Sequence, residues 1–212
     1  MEQHFWLGFL ITAFFMNIAP GPDMIYLVSQ TMAYGKKVGF ASILGLGAGA
    51  FIHTTFVALG ISAILTTSVV VFKTIKLIGA GYLLYLGFRS LFFGGKPIFS
   101  KTQSSSEPKS FRKAFLSAVL IDVTNPKVAL FFIAILPQFY RENSIPKTAQ
   151  FLVLGLVIIL VGFLVEGVTV LLADTFTTAL RTKPIYAQIL DKAFGCVLIA
   201  LGAKLLLNRD TQ

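Results

Sequence analysis

The chain has 212 residues, 56% of them hydrophobic and 13% charged, and its 18 Lys and Arg against 9 Asp and Glu give a formal net charge of +9. Soluble domains carry about a quarter charged residues, so this composition, with a mean hydropathy of +0.81, excludes an ordinary soluble fold and points to an all-α polytopic membrane protein. The basic residues sit in short connectors between apolar runs, which argues against a nucleic-acid surface and makes membrane topology their explanation.

Six apolar stretches predict spans at 5–34, 39–65, 69–93, 111–139, 146–175 and 186–207, each compatible with the roughly 20 residues a bilayer requires. Met1-Glu2-Gln3-His4 lacks the positive region and cleavage site of a signal peptide, so the first span is expected to be retained. That span is interrupted by Asn17-Ile18-Ala19-Pro20-Gly21-Pro22-Asp23-Met24. Two prolines and a glycine remove backbone donors and loosen the chain, which predicts a break or kink near Pro20 to Pro22. Lipid cannot satisfy the freed backbone groups, so such a break must be packed in protein or line a wet cavity. Asp23 follows in the first turn of the resumed helix. An ionisable group inside a span is a functional candidate; the plainer reading is an N-cap at the membrane surface.

Lys36 and Lys37, between Gly35 and Gly39, form a tight basic turn. The second span opens with Gly45-Leu46-Gly47-Ala48-Gly49, small residues that let a neighbouring helix approach closely. Its strongly polar patch is His53 with Thr54 and Thr55, either a hydrogen-bonded structural histidine or a proton relay. After the third span, residues 94–113 hold three serines in a row, two prolines and five basic residues against Glu107, which reads as a linker between halves. The fourth span breaks at Asn125-Pro126-Lys127, with Asp122 one turn earlier as a functional carboxyl or a helix-terminal residue at the interface. The fifth carries Glu166 deep in an apolar run. Cys196 is the only cysteine, which excludes an intramolecular disulfide and argues against a thiolate metal cluster.

The connectors after spans one, three and five share a side and carry Lys36, Lys37, the basic linker, Arg181 and Lys183. The positive-inside bias places that side in the cytoplasm and both termini in the periplasm. Lys73 and Lys76, near the opposite side, count against it.

Residues 78–92 align without a gap on 193–207, setting Gly87 on Gly202 and Arg89 on Lys204. The second spans align through Leu44-Gly45 and Leu154-Gly155, and the first spans through their breaks, with Pro22 on Pro126 and Asp23 on Lys127. Chance likeness between Leu- and Gly-rich helices is the competing explanation. Three spans per repeat is an odd number, so the second half enters the membrane inverted. The expected organisation is a repeat at 1–93, the linker at 94–113 and a repeat at 114–212, a 3+3 inverted repeat of six transmembrane helices with helices 1 and 4 broken. In that arrangement the two breaks face one another at the midplane. Asn17, Pro20, Gly21, Pro22, Asp23, Asn125, Pro126 and Lys127 would then meet a polar solute, and a zwitterion would replace the Asp23–Lys127 pair.

With both motifs in view, the chain resembles the lysine exporter family, in particular its homoserine/threonine resistance branch (LysE/RhtB). The likeness covers nearly the whole length and rests on Asn17 to Asp23 with Gly35 and Gly39, and on Asp122-Val123-Thr124-Asn125-Pro126-Lys127 with Phe131-Phe132 and Pro137-Gln138-Phe139. It implies export of amino acids or their analogues across a bacterial inner membrane, driven by the proton motive force. Coupling requires a group that changes protonation as the site alternates, for which Asp23, Asp122, Glu166 and His53 are the candidates. No HExxH, paired cysteines or Ser/His/Asp set suggests an enzyme, and no cofactor or metal is expected. The rival reading is a passive channel or a cation exporter with the three carboxyls as ligands, against which Lys127 argues. Substrate identity and any homo-oligomer stay open.

Overall fold

The computed structural model describes residues 2–19, 21–61, 69–93, 110–142, 145–173 and 184–207. Pro20, the linker residues 94–109, Arg181 and Lys183 lie outside the described residues. Among those described there is no strand. The first apolar stretch forms α1 (Glu2–Ile18) and α2 (Pro22–Tyr34), and the second forms α3 (Lys36–Phe56) with a wider turn at Val57–Ile61. The third is α4 (Val69–Phe93). The fourth divides into α5 (Phe111–Val123), α6 (Pro126–Ala134) and a 3₁₀ turn (Leu136–Phe139), followed by α7 (Lys147–Leu171) and α8 (Pro184–Leu207).

Both interruptions lie where the prolines predict them. Pro22 occupies the first turn of α2, where a missing N–H costs nothing and a preset φ favours the helix. Asp23 is in the first turn, but the capping position is Gly21, and no side chain caps it. Pro126 does the same for α6, with Asn125 as the cap: its Oδ1 accepts the Lys127 N–H at 3.0 Å. The axes turn by 56° between α1 and α2 and by 54° between α5 and the Pro126–Phe139 stretch that holds α6 and the 3₁₀ turn. Among the described residues, α3 and α7 are long and apolar enough to cross a membrane alone, and each bent pair is so if counted as one span. Helix α2 ends at Gly35, whose φ of 84° is left-handed and favours glycine.

The apolar surface points both ways. Leu160, Leu164, Val168 and Leu171 form an exposed stripe on α7, while Ile158, Ile159, Gly162, Glu166 and Thr169 of the same helix face inward. Apolar stripes of this size on the outside suit lipid rather than water. Buried hydroxyls are satisfied within their own helices: Thr12, Thr31, Ser42, Thr54 and Thr169 each donate to the carbonyl four residues back, at 2.7–2.9 Å. The hydroxyls of Thr54 and Thr55 are accounted for in this way, which leaves His53 as the member of its polar patch that hydrogen-bonds to another helix.

Small residues set the packing. A Cβ at Gly45 would strike the Phe115 carbonyl oxygen of α5 and lie 2.6 Å from Ala118 Cβ. Because backbone cannot yield, Gly45→Val should cost about 1–3 kcal/mol, read as a lower unfolding temperature of the detergent-solubilised protein. Helices α4 and α8 cross at Gly87 and Gly195, where a Cβ on either would lie 2.9 or 2.7 Å from the other's carbonyl oxygen, and Gly202 sits over Ala80 and Leu84. The contacts run in opposite chain directions, so this pair is antiparallel. So are α3 and α7, where Gly47 meets Phe163 and Thr54 meets Gly155.

Candidate functional site

The two bends meet inside the bundle. Lys127 Nζ, from the first turn of α6, donates to both oxygens of Asp23 in the first turn of α2, at 3.0 and 2.7 Å, and to the Ala19 carbonyl at 3.3 Å. Both side chains are about one-tenth exposed. Asp23 is well placed beside the positive end of α2, whereas Lys127 puts a cation at the positive end of α6, the unfavourable pole for it. The carboxylate of Asp23 offsets that cost. Gly21 allows the approach: a Cβ there would lie 2.9 Å from Lys127 Nζ.

Beside this pair lies a cavity of about 20 Å³, room for one water-sized group. Asn17, Asp23, Asp122 and Glu166 supply its polar lining, and Met16, Val128, Phe132, Ile158 and Phe163 supply most of its apolar wall. Asn17 Nδ2 donates to Ala13 O at 2.8 Å and reaches across to Ile158 O on α7 at 3.4 Å, and Gly162 leaves space for its Oδ1. Asp122, Asn125 and Glu166 are 4%, 2% and 8% exposed. Two polar atoms at the α5–α6 bend are buried without a partner, Asp122 Oδ2 and Asn125 Nδ2. The first is an acceptor and the second a donor.

Of the sequence-predicted residues, Asn17, Asp23, Asp122 and Glu166 are brought to one cavity, with Lys127 paired to Asp23. Gly21, Pro22, Asn125 and Pro126 shape the two bends without lining it. His53 does not line it either. Its Nε2 donates to the Asp122 carbonyl at 3.2 Å and its ring stacks on Phe132 with centroids 5.9 Å apart, so it braces the end of α5, where the Asn125 N–H also donates to the same carbonyl. Reading the sequence missed Met16, Gly162 and Phe163, and named Phe132 only as part of the family motif. Gly162 had a signal, since it stands one helical turn before Glu166 and so shares its face; Met16 and Phe163 had none. Among the described residues, no group of three or more His, Cys, Asp or Glu is placed to hold a metal ion.

Residues 14–209 match the family described as LysE type translocator. The chain belongs to that family. As a LysE type translocator it has relatives along its whole length. It is 31% identical over 210 residues to an uncharacterized membrane protein, YrhP, of Bacillus subtilis, covering 95% of this chain and 98% of that one. It is 33% identical over 204 residues to an uncharacterized membrane protein of Vibrio cholerae, covering 95% and 96%. With the homoserine/homoserine lactone efflux protein of Salmonella typhi it shares 30% identity over 206 residues, 97% of each chain. No solved structure matches this translocator at a significant level.

Proposed function

We propose that this chain exports amino acids or close analogues across a bacterial inner membrane by antiport against protons. The observation that carries the reading is the buried Asp23–Lys127 pair, in which two helix bends present opposite charges to one another. A free amino acid carries the same two charges and can take the place of the pair. Its carboxylate goes to Lys127, the N-terminal amides of α6 and the unpartnered Asn125 Nδ2. The name of the Salmonella typhi relative makes homoserine the first substrate to try.

The architecture proposed for this transport is a 3+3 inverted repeat of six spans, with repeats at 1–93 and 114–212 and both termini in the periplasm. The antiparallel course of α3 against α7 and of α4 against α8 supports it. So does the repeat alignment: exchanging 87 with 202, 80 with 195 and 84 with 199 turns the Gly87–Gly195 and Gly87–Ile199 contacts into the Gly202–Ala80 and Gly202–Leu84 contacts. Protons are carried on buried carboxyls, with Glu166, opposite the bends on α7, as the first candidate. A cation exporter is disfavoured by Lys127 beside the cavity.

The test is flux of labelled L-homoserine in proteoliposomes holding the full chain. Under an imposed pH gradient the label should accumulate above equilibration. Equilibration at the same rate with and without the gradient would identify a passive channel and overturn the antiport reading.

A further inference from the structure

The charged lining of the cavity is one-sided. Asp23, Asp122 and Glu166 line it from three helices, and among the described residues no Lys, Arg or His does. Asp23 is committed, since Lys127 donates to both of its oxygens. Asp122 is not: its Oδ2 is buried without a hydrogen-bond partner on a residue 4% exposed. Space for that carboxylate is made by Gly49 of α3, where a Cβ would lie 2.7 Å from Oδ2. Two donors at this end of α5, His53 Nε2 and the Asn125 N–H, go to the Asp122 carbonyl and not to its side chain. A buried acceptor left without a donor is costly and marks a place where a donor belongs.

Volume and charge narrow what that donor is. About 20 Å³ admits one group the size of water. A primary ammonium is such a group, with three donors for the surrounding oxygens and a charge that a carboxylate can balance. We propose that this cavity is a primary-ammonium site, with Asp122 Oδ2 as the acceptor and Glu166 as its second carboxylate, and with Asp23, which also lines it, facing the ammonium when a substrate carboxylate draws Lys127 away. The exporter reading supplies the substrate class, amino acids; the site itself stands on the unpartnered oxygen. Recognition is thus divided. A free amine is required for binding, and a free carboxylate is not, because a compound without one leaves Lys127 on Asp23.

The experiment is thermal unfolding of the detergent-solubilised full chain with L-homoserine, its carboxamide and N-acetyl-L-homoserine, each read as a ligand-dependent rise in unfolding temperature. Homoserine and the carboxamide should both raise it. The N-acetyl compound should need at least about tenfold higher concentration, the loss expected for one charge-assisted hydrogen bond. In Asp122→Asn the response to the amines should weaken by a similar factor, measured against that variant's own ligand-free value. If the variant does not fold, the three compounds on the parent chain still decide. Equal stabilisation by the N-acetyl compound, or no response to either amine, would overturn the site. Flux separates this from the exporter reading: an amine-selective shift with no homoserine transport sinks the exporter and leaves the site, and transport without amine selectivity does the reverse.

Discussion

Lys127→Met should abolish homoserine export and destabilise the protein together, whereas Asp23→Asn with Lys127→Met should recover most of the stability and none of the transport. In the single variant Asp23 is left about nine-tenths buried with its charge uncompensated. Removing one partner of a buried pair costs about 3–5 kcal/mol, while replacing both by neutral groups is often close to neutral. The lost stability is therefore mostly the cost of an orphaned carboxylate, and a lower unfolding temperature should be seen only in the single variant. Export is different, because the proposed role of Lys127 is to meet the substrate carboxylate. Both proteins should then move homoserine at under about one-hundredth of the parent rate, in keeping with about 3 kcal/mol or more for a charged hydrogen-bonding partner in a water-excluded site. A double variant that exported at the parent rate would reduce the pair to a structural brace.

The second large effect is expected at Glu166. It is 8% exposed, faces inward from α7 and lines the cavity with Asp23 and Asp122. Glu166→Gln keeps the shape and polarity of the side chain and removes its ability to bind and release a proton. One pH unit across the membrane supplies 1.36 kcal/mol per proton, enough for about tenfold accumulation. The parent should approach that ratio if one proton is exchanged per substrate, and the variant should stay near equilibration. Exchange of labelled for unlabelled substrate, which needs no net proton movement, should continue in the variant once the substrate concentration is raised to offset the loss of Glu166 from the ammonium site. If gradient-driven accumulation persists unchanged, the coupling proton is carried elsewhere.

His53 shows why sequence reading stops short of roles. Its intrinsic chemistry suits a proton relay, and nothing along the chain assigns it a partner. In the fold its Nε2 meets a peptide carbonyl at the end of α5 and its ring stacks on Phe132, partners that only the tertiary structure supplies. Asp122 shows the opposite. Asp122 stands in the last turn of α5, as its place one turn before a proline predicts, and it is buried against Gly49 with one oxygen unpartnered.

What the chain order determined by itself is local. Proline and glycine act on their own backbone and their neighbours', so the bends at Pro22 and Pro126 were legible residue by residue, whereas Lys36 and Lys37, which read as a turn, belong to the first turn of α3. Charge rarity in an apolar run likewise singled out Asp23, Asp122, Lys127 and Glu166. Setting one break on the other already pairs Asp23 with Lys127, 104 positions apart. Tertiary structure alone decided that Asn17, Asp122 and Glu166 share one cavity with Asp23, and the wall of Phe132, Phe163 and Ile158 is built from side chains that look like any others facing lipid or core. An apolar residue carries no mark of which surface it will cover. That is set by which helices approach closely, and here the approach is set by Gly45, Gly47, Gly49 and Gly162, where the missing side chain lets a neighbouring helix come in.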